Sequence, residues 1–243
     1  MKGVWLPLAL VGLAEIGARA HGPSDSIAPP SEVARAFVEA MADGSLAAAT
    51  RDTLIAAFAG LSLGGALGLA LGFALGLSRA FDRLLWLPVE VLRPIPSVAV
   101  IPVALVALGF GYRLEIAIVA FACVWPMLIL TRAAVAEVEP RLIEVARALR
   151  LSPLATIVKI VAPAAAPRIF VAFRLAAGVA LIVAVTVEIA VNPQGLGAAL
   201  MTAGQALRPD LTMAFLVWVG AVGFALNQAL LFAQARLFNE MSR

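Results

Sequence analysis

EVARALRLSPLATIVKIVAP, residues 144–163, interrupts a chain that is otherwise mostly Ala, Leu, Val and Gly. The segment carries three basic residues, Arg147, Arg150 and Lys159, one acidic residue, Glu144, and two prolines. A stretch this polar is too costly to bury in hydrocarbon, so it meets water or a partner. EVARALRL has helical spacing, with Val145, Leu149 and the pair Ala146/Ala148 giving a small apolar face. Ser152-Pro153 fits the cap and first residue of a second helix, expected to run to Ile160 and to stop before Ala162-Pro163. Two short helices joined by a tight corner make a compact knob. Such a knob suits docking into a groove of a soluble protein; the competing reading is an amphipathic connector resting on the membrane surface.

The surroundings of this knob define an integral membrane protein. Of 243 residues, 63% are hydrophobic and only 14% are charged, against the usual quarter in a soluble domain. The mean hydropathy is +1.00. One Cys, Cys123, and one His, His21, exclude an intramolecular disulfide and disfavour a His/Cys zinc site, so no metal is expected. The net charge of +3 is small for a nucleic-acid binder, and nucleic acid is not expected as a partner.

A membrane helix needs roughly 20 apolar residues. Residues 54–78 and 211–235 contain no Asp, Glu, Lys or Arg, and 94–112 lies uncharged between Arg93 and Arg113. Three weaker windows, 3–18, 114–131 and 169–191, bring the expectation to an all-α polytopic protein with about six transmembrane helices. Placing Lys2 in the cytoplasm makes 79–93, 132–168 and the tail from 236 interior. Those segments, with Lys2 and Arg174, hold thirteen of the eighteen basic residues, as the positive-inside rule requires. Both termini are then cytoplasmic. The first twenty residues also read as a secretory leader ending Ala-Arg-Ala; Glu15 and Arg19 favour a retained helix. The chain divides into 1–52, a first transmembrane helix plus an exterior helix, and 53–243, the core. The exterior helix lies within 28–44, with Ser31 as its cap.

Three groups of residues stand out in the spans. Gly60, Gly64, Gly68, Gly72 and Gly76 recur every four residues along one helix face, a surface for close helix packing within or between protomers. Pro94 and Pro96, with Pro102 behind them, either bend a helix that lines a pathway or mark where a helix starts. Thr186 and Glu188 sit near the outer end of the fifth span, where Glu188 is either a pathway or gate residue or a boundary residue reaching the headgroups. The chain has no Walker-type GxxxxGK[ST] segment, so ATP hydrolysis would need another polypeptide. The lone His lies outside the spans and no acidic cluster sits at membrane depth, which argues against an intramembrane enzyme.

The opening segment resembles the EAA loop of bacterial ABC importer permeases. Glu144, Ala146, Ile160 and Pro163 stand at the matching spacings; Val145 replaces an Ala, Ala162 replaces a Leu, and Arg150 stands where that pattern has Gly. Because Arg does not adopt a Gly corner cheaply, the corner is expected to shift onto Leu151-Ser152-Pro153. The stretches 29–43, 92–102, 108–112 and 194–211 resemble the nitrate, sulfonate, taurine and bicarbonate branch of these permeases.

The resemblance implies a type I ABC importer permease (MetI-like) fold in the bacterial inner membrane, with 132–168 as the coupling loop. Glu144, Ala146, Arg147, Arg150, Leu151, Ser152, Pro153, Ile160 and Pro163 would meet a cytoplasmic ABC ATPase that carries ATP and Mg. A periplasmic or lipid-anchored solute-binding protein, a second permease copy in a homodimer, and membrane lipid complete the implied partners. The solute would be small, polar and anionic. A secondary transporter is the alternative, expected to show inverted repeats and midplane carboxylates that are not evident.

Overall fold

The computed structural model describes residues 5–22, 24 and 26–238. Expectations resting on Lys2 and on the residues from 239 onward fall outside these. The chain forms α1 (Trp5–His21), α2 (Pro30–Ala42), α3 (Ser45–Leu77), α4 (Arg79–Leu92), a 3-10 turn (Ser97–Val100), α5 (Ile101–Leu108) and α6 (Tyr112–Ala136). It continues as α7 (Pro140–Ala148), α8 (Pro153–Thr156), a π turn (Ile157–Val161), α9 (Ala162–Ala190), α10 (Leu196–Gln205) and α11 (Pro209–Phe238).

Among the described residues, four helices are long and apolar enough to cross a membrane: α3, α6, the helical run Pro153–Ala190, and α11. A fifth arises if α4 and the Ser97–Leu108 helix, bent by 83° at their junction, count as one broken span. The remaining expected span, α1, has 17 residues among those described, fewer than the other four. Residues 79–93, expected as an interior loop, are instead the amphipathic helix α4. Its start explains why: the Ser78 hydroxyl accepts from the Phe81 N–H at 3.4 Å, and Asp82 lies in the first turn, where the helix dipole favours an anion.

The chain packs as two compact units, one of residues 1–55 with 185–224 and the other of 56–184 with 225–243. In the first, Ala40, Leu46, Ala49, Leu196 and Phe215 are buried together, and Phe37 and Trp218 pack on them with ring centroids 5.6 Å apart. The Trp218 indole N–H donates to the Thr50 hydroxyl at 2.8 Å. The start of α2 corrects the sequence expectation. Pro29, not Ser31, is the N-cap. A free N–H at a helix start can be satisfied by any nearby anion, and the Ser31 N–H donates to Glu15 Oε2 at 3.0 Å, while the other Glu15 oxygen accepts from the Ser31 hydroxyl at 2.8 Å and from Arg19 Nε at 2.6 Å.

In the second unit the glycine stripe of α3 lies against α6. A Cβ added at Gly64 would stand 2.1 Å from the Ala120 carbonyl oxygen, and one at Gly68 would stand 2.5 Å from that of Val124. Added atoms at Gly60, Gly72 and Gly76 would meet the Cβ atoms of Val119, Thr131 and Val135 at 2.5–2.7 Å. Each Gly in a helix interior costs about 1 kcal/mol relative to Ala; here the missing methyl groups let two backbones touch, and dispersion between them offsets that cost. The stripe is occupied inside the protomer.

Candidate functional site

The segment 140–163 is built on the end of α6. Ile143 and Ala146 of α7 face Val135, Leu151 and Val161 across a cavity of about 540 Å³, above a buried cluster of Ala134, Val135, Val161 and Ala165. Ala146 is buried, whereas Glu144, Arg147 and Arg150 are exposed on the outside of the knob. Of the expected apolar face only Ala146 is buried; Val145, Ala148 and Leu149 are exposed along with the charged residues.

The corner itself differs from expectation. Arg150 takes φ +51°. The Leu151 N–H reaches back to the Ala146 carbonyl at 3.0 Å and the Arg150 N–H to that of Arg147 at 2.9 Å. These are the paired bonds of a Schellman helix end, whose left-handed position is normally Gly. The corner therefore sits on Arg150 rather than on 151–153, because those two bonds satisfy carbonyls that would otherwise be orphaned at the end of α7. A left-handed backbone on a residue with a Cβ costs about 1–2 kcal/mol. Leu207, φ +54°, ends α10 in the same way, with Arg208 N–H to Ala203 O at 3.0 Å.

Ser152 then caps the next helix, its hydroxyl accepting from the Ala155 N–H at 3.2 Å, with Pro153 in the first turn. That helix does not stop before Pro163. It runs as one helical stretch to Ala190, and the proline is absorbed by the π turn, in which the Ala162 N–H donates to the Ile157 carbonyl five residues back. A wider turn relieves the clash that a proline ring makes with the preceding turn of a regular helix. Ile160 is half-buried in the π turn and Pro163 is exposed.

Two ion pairs brace this region, and neither was visible in the sequence. Arg132 of α6 binds Asp82 of α4 through two bonds of 2.5 and 2.7 Å and lies 4.8 Å from the ring centre of Trp86. Arg168 of α9 pairs with Glu137 at the end of α6. Their partners lie 50 and 31 residues apart, beyond any local pattern. Arg174 of α9 donates to the Gln234 side-chain oxygen at 3.1 Å.

At the far end of α9, Glu188 is 2% exposed and turned onto the Gly195-Leu196-Gly197 corner rather than extended to a headgroup. Its Oε2 accepts from the Gly197 N–H at 2.8 Å. Gly195 has φ +93°, and a Cβ there would stand 2.0 Å from Glu188 Oε1. Beside it the Leu196 N–H donates to the hydroxyl of Thr53, a fully buried residue, at 2.8 Å. A carboxylate and a hydroxyl thus satisfy the first free N–H groups of α10. Thr53 escaped the sequence reading because a Thr in an apolar helix is ordinary. Thr186 is half-buried two residues before Glu188. Pro94 and Pro96 lie in the break between α4 and the 3-10 turn, with Pro96 the N-cap of that turn. The break ends one helix and starts another.

Residues 64–242 match the model for the binding-protein-dependent transport system inner membrane component, and the chain belongs to that family. It is 30% identical over 220 residues to an aliphatic sulfonates transport permease of Escherichia coli (strain K12), covering 90% of this chain and 84% of the relative. It is 29% identical to a nitrate import permease of Leptolyngbya laminosa, covering 76% and 63%. In fold it is similar to a chain of the MetNI methionine ABC transporter in an inward-facing conformation, with a TM-score of 0.68 and 21% identity over 79% of this chain and 94% of that one. The protein is a permease subunit of an ABC importer.

Proposed function

We propose that the chain forms, with a second copy of itself, the pathway for a small anionic solute of the sulfonate, taurine, nitrate or bicarbonate kind across a bacterial inner membrane. A separate cytoplasmic ABC ATPase, carrying ATP and Mg, receives the knob at 140–163, and a periplasmic or lipid-anchored binding protein delivers the solute to the opposite side. Both termini are cytoplasmic in this reading.

The observation that carries it is continuity. From Pro153 the backbone runs helically for 38 residues to Ala190, a contour of about 57 Å at 1.5 Å per residue. Closure of an ATPase pair on two docked knobs is passed along that helix to the corner where Glu188 holds α10, shifting the population between inward-open and outward-open states. Thr186 and Glu188 gate the pathway at that end, and the elbow at Pro94 and Pro96 borders it. The anionic solute class is supported by the names of the sulfonate and nitrate relatives. The test is uptake of labelled taurine, nitrate or bicarbonate into cells that express the permease with its ATPase and binding protein. ATP-dependent accumulation of one of these anions is expected, and accumulation of none of them overturns the solute assignment.

A further inference from the structure

Arg150 stands at the apex of the knob in a backbone conformation that favours Gly. Its side chain is exposed, and among the described residues it makes no ion pair. Leu207 shows that a Schellman end in this chain tolerates a residue with a Cβ and needs no charge. What distinguishes Arg150 is therefore the cation and its place. From 139 to 161 the chain carries Arg141, Arg147, Arg150 and Lys159 against Glu139 and Glu144. Within five residues of Arg150 along the chain, Val145, Leu149 and Leu154 are 47%, 64% and 71% exposed. An exposed guanidinium in a stretch that also exposes three large aliphatic residues has the composition of an interface centre rather than of a solvated turn.

We propose that Arg150 is a specificity-determining contact of the knob, pairing with a carboxylate in the docking groove of the partner ATPase. This rests on the ATPase-docking reading above. Gly there would relax the backbone but delete the cation. The pair adds electrostatic selection to the exposed aliphatic groups of Val145, Leu149 and Leu154, so the chain favours an ATPase with an acidic groove over one without.

The test uses the full permease in detergent or nanodiscs, the purified cognate ABC ATPase, and the variants Arg150→Gly, Arg150→Lys and Arg150→Glu. Arg150→Gly is expected to raise the thermal midpoint by a few degrees, since it removes the left-handed strain, while weakening ATPase binding about fivefold at low salt. Arg150→Lys should bind nearly as well as the parent, and Arg150→Glu should bind worst. The difference between parent and Arg150→Gly should fade as salt is raised. Binding of Arg150→Gly within twofold of the parent overturns the proposal and leaves the docking reading intact, as does an effect confined to association with anionic lipid vesicles. Failure of the parent chain itself to bind the ATPase overturns both.

Discussion

Glu188 Oε2 accepts the Gly197 N–H at 2.8 Å across a nine-residue separation, so the end of α9 and the start of α10 form one locked corner. Deleting the acceptor strands a buried N–H, which costs about 1–3 kcal/mol. Glu188→Ala should lower the thermal midpoint and the yield of folded protein, whereas Glu188→Gln, which keeps an acceptor oxygen, should fold normally. If Glu188 also gates the pathway, the Gln variant changes uptake or basal ATPase activity of the assembled transporter. Parental values for both measurements would leave Glu188 a purely structural anchor.

Gly195 is more demanding than the carboxylate it faces. A methyl group at this position would overlap Glu188 and hold a φ of +93° on a residue with a Cβ. Gly195→Ala is therefore expected to be more damaging than Glu188→Ala, read as loss of monodisperse protein on size-exclusion chromatography.

Thr53 makes a smaller version of the same argument. Thr53→Val removes the acceptor of the Leu196 N–H while keeping the shape, at an expected cost of about 1–2 kcal/mol, and Thr53→Ser should be close to parental. Equal thermal midpoints for the Val and Ser variants would show that the Thr53 hydroxyl contributes nothing.

Adjacent glycines of α3 provide an internal control. Gly64→Ala drives a Cβ into the Ala120 carbonyl, while at Gly65 the nearest atom to an added Cβ is 3.9 Å away. The first substitution should destabilise by about 2–3 kcal/mol through overpacking, and the second should be neutral or stabilising, since Ala is the better helix former. Detergent-resistant thermal unfolding of the two variants reads the difference directly.

Four of the spans and the glycine face were legible because both rest on local rules: apolar length, and a four-residue period carried by five glycines. The knob was legible for the same reason, through Ser152-Pro153 and the spacing of Ala146. What escaped the sequence depended on partners far along the chain. Glu15 reaching the Ser31 N–H, Asp82 meeting Arg132 and Thr53 holding Leu196 are tertiary pairings, and no local pattern marks them. The expected helix stop at Pro163 failed because a π turn can absorb a proline without ending the helix. The expected shift of the corner failed because two Schellman hydrogen bonds outweigh the left-handed strain of one Arg.

The central claim is that the knob at 140–163 couples this permease to a separate ATPase. Its most direct test is solute uptake into proteoliposomes holding the permease and its cognate ATPase, with the binding protein and solute supplied outside and ATP inside, comparing the parent chain with Glu144→Lys. The account predicts uptake that requires ATP, ATPase and binding protein in the parent. It predicts loss of that uptake, with weakened ATPase retention, in a Glu144→Lys chain that still inserts and folds. Uptake by the permease alone on an ion gradient, or unchanged ATP-driven uptake and ATPase retention in Glu144→Lys, would contradict it.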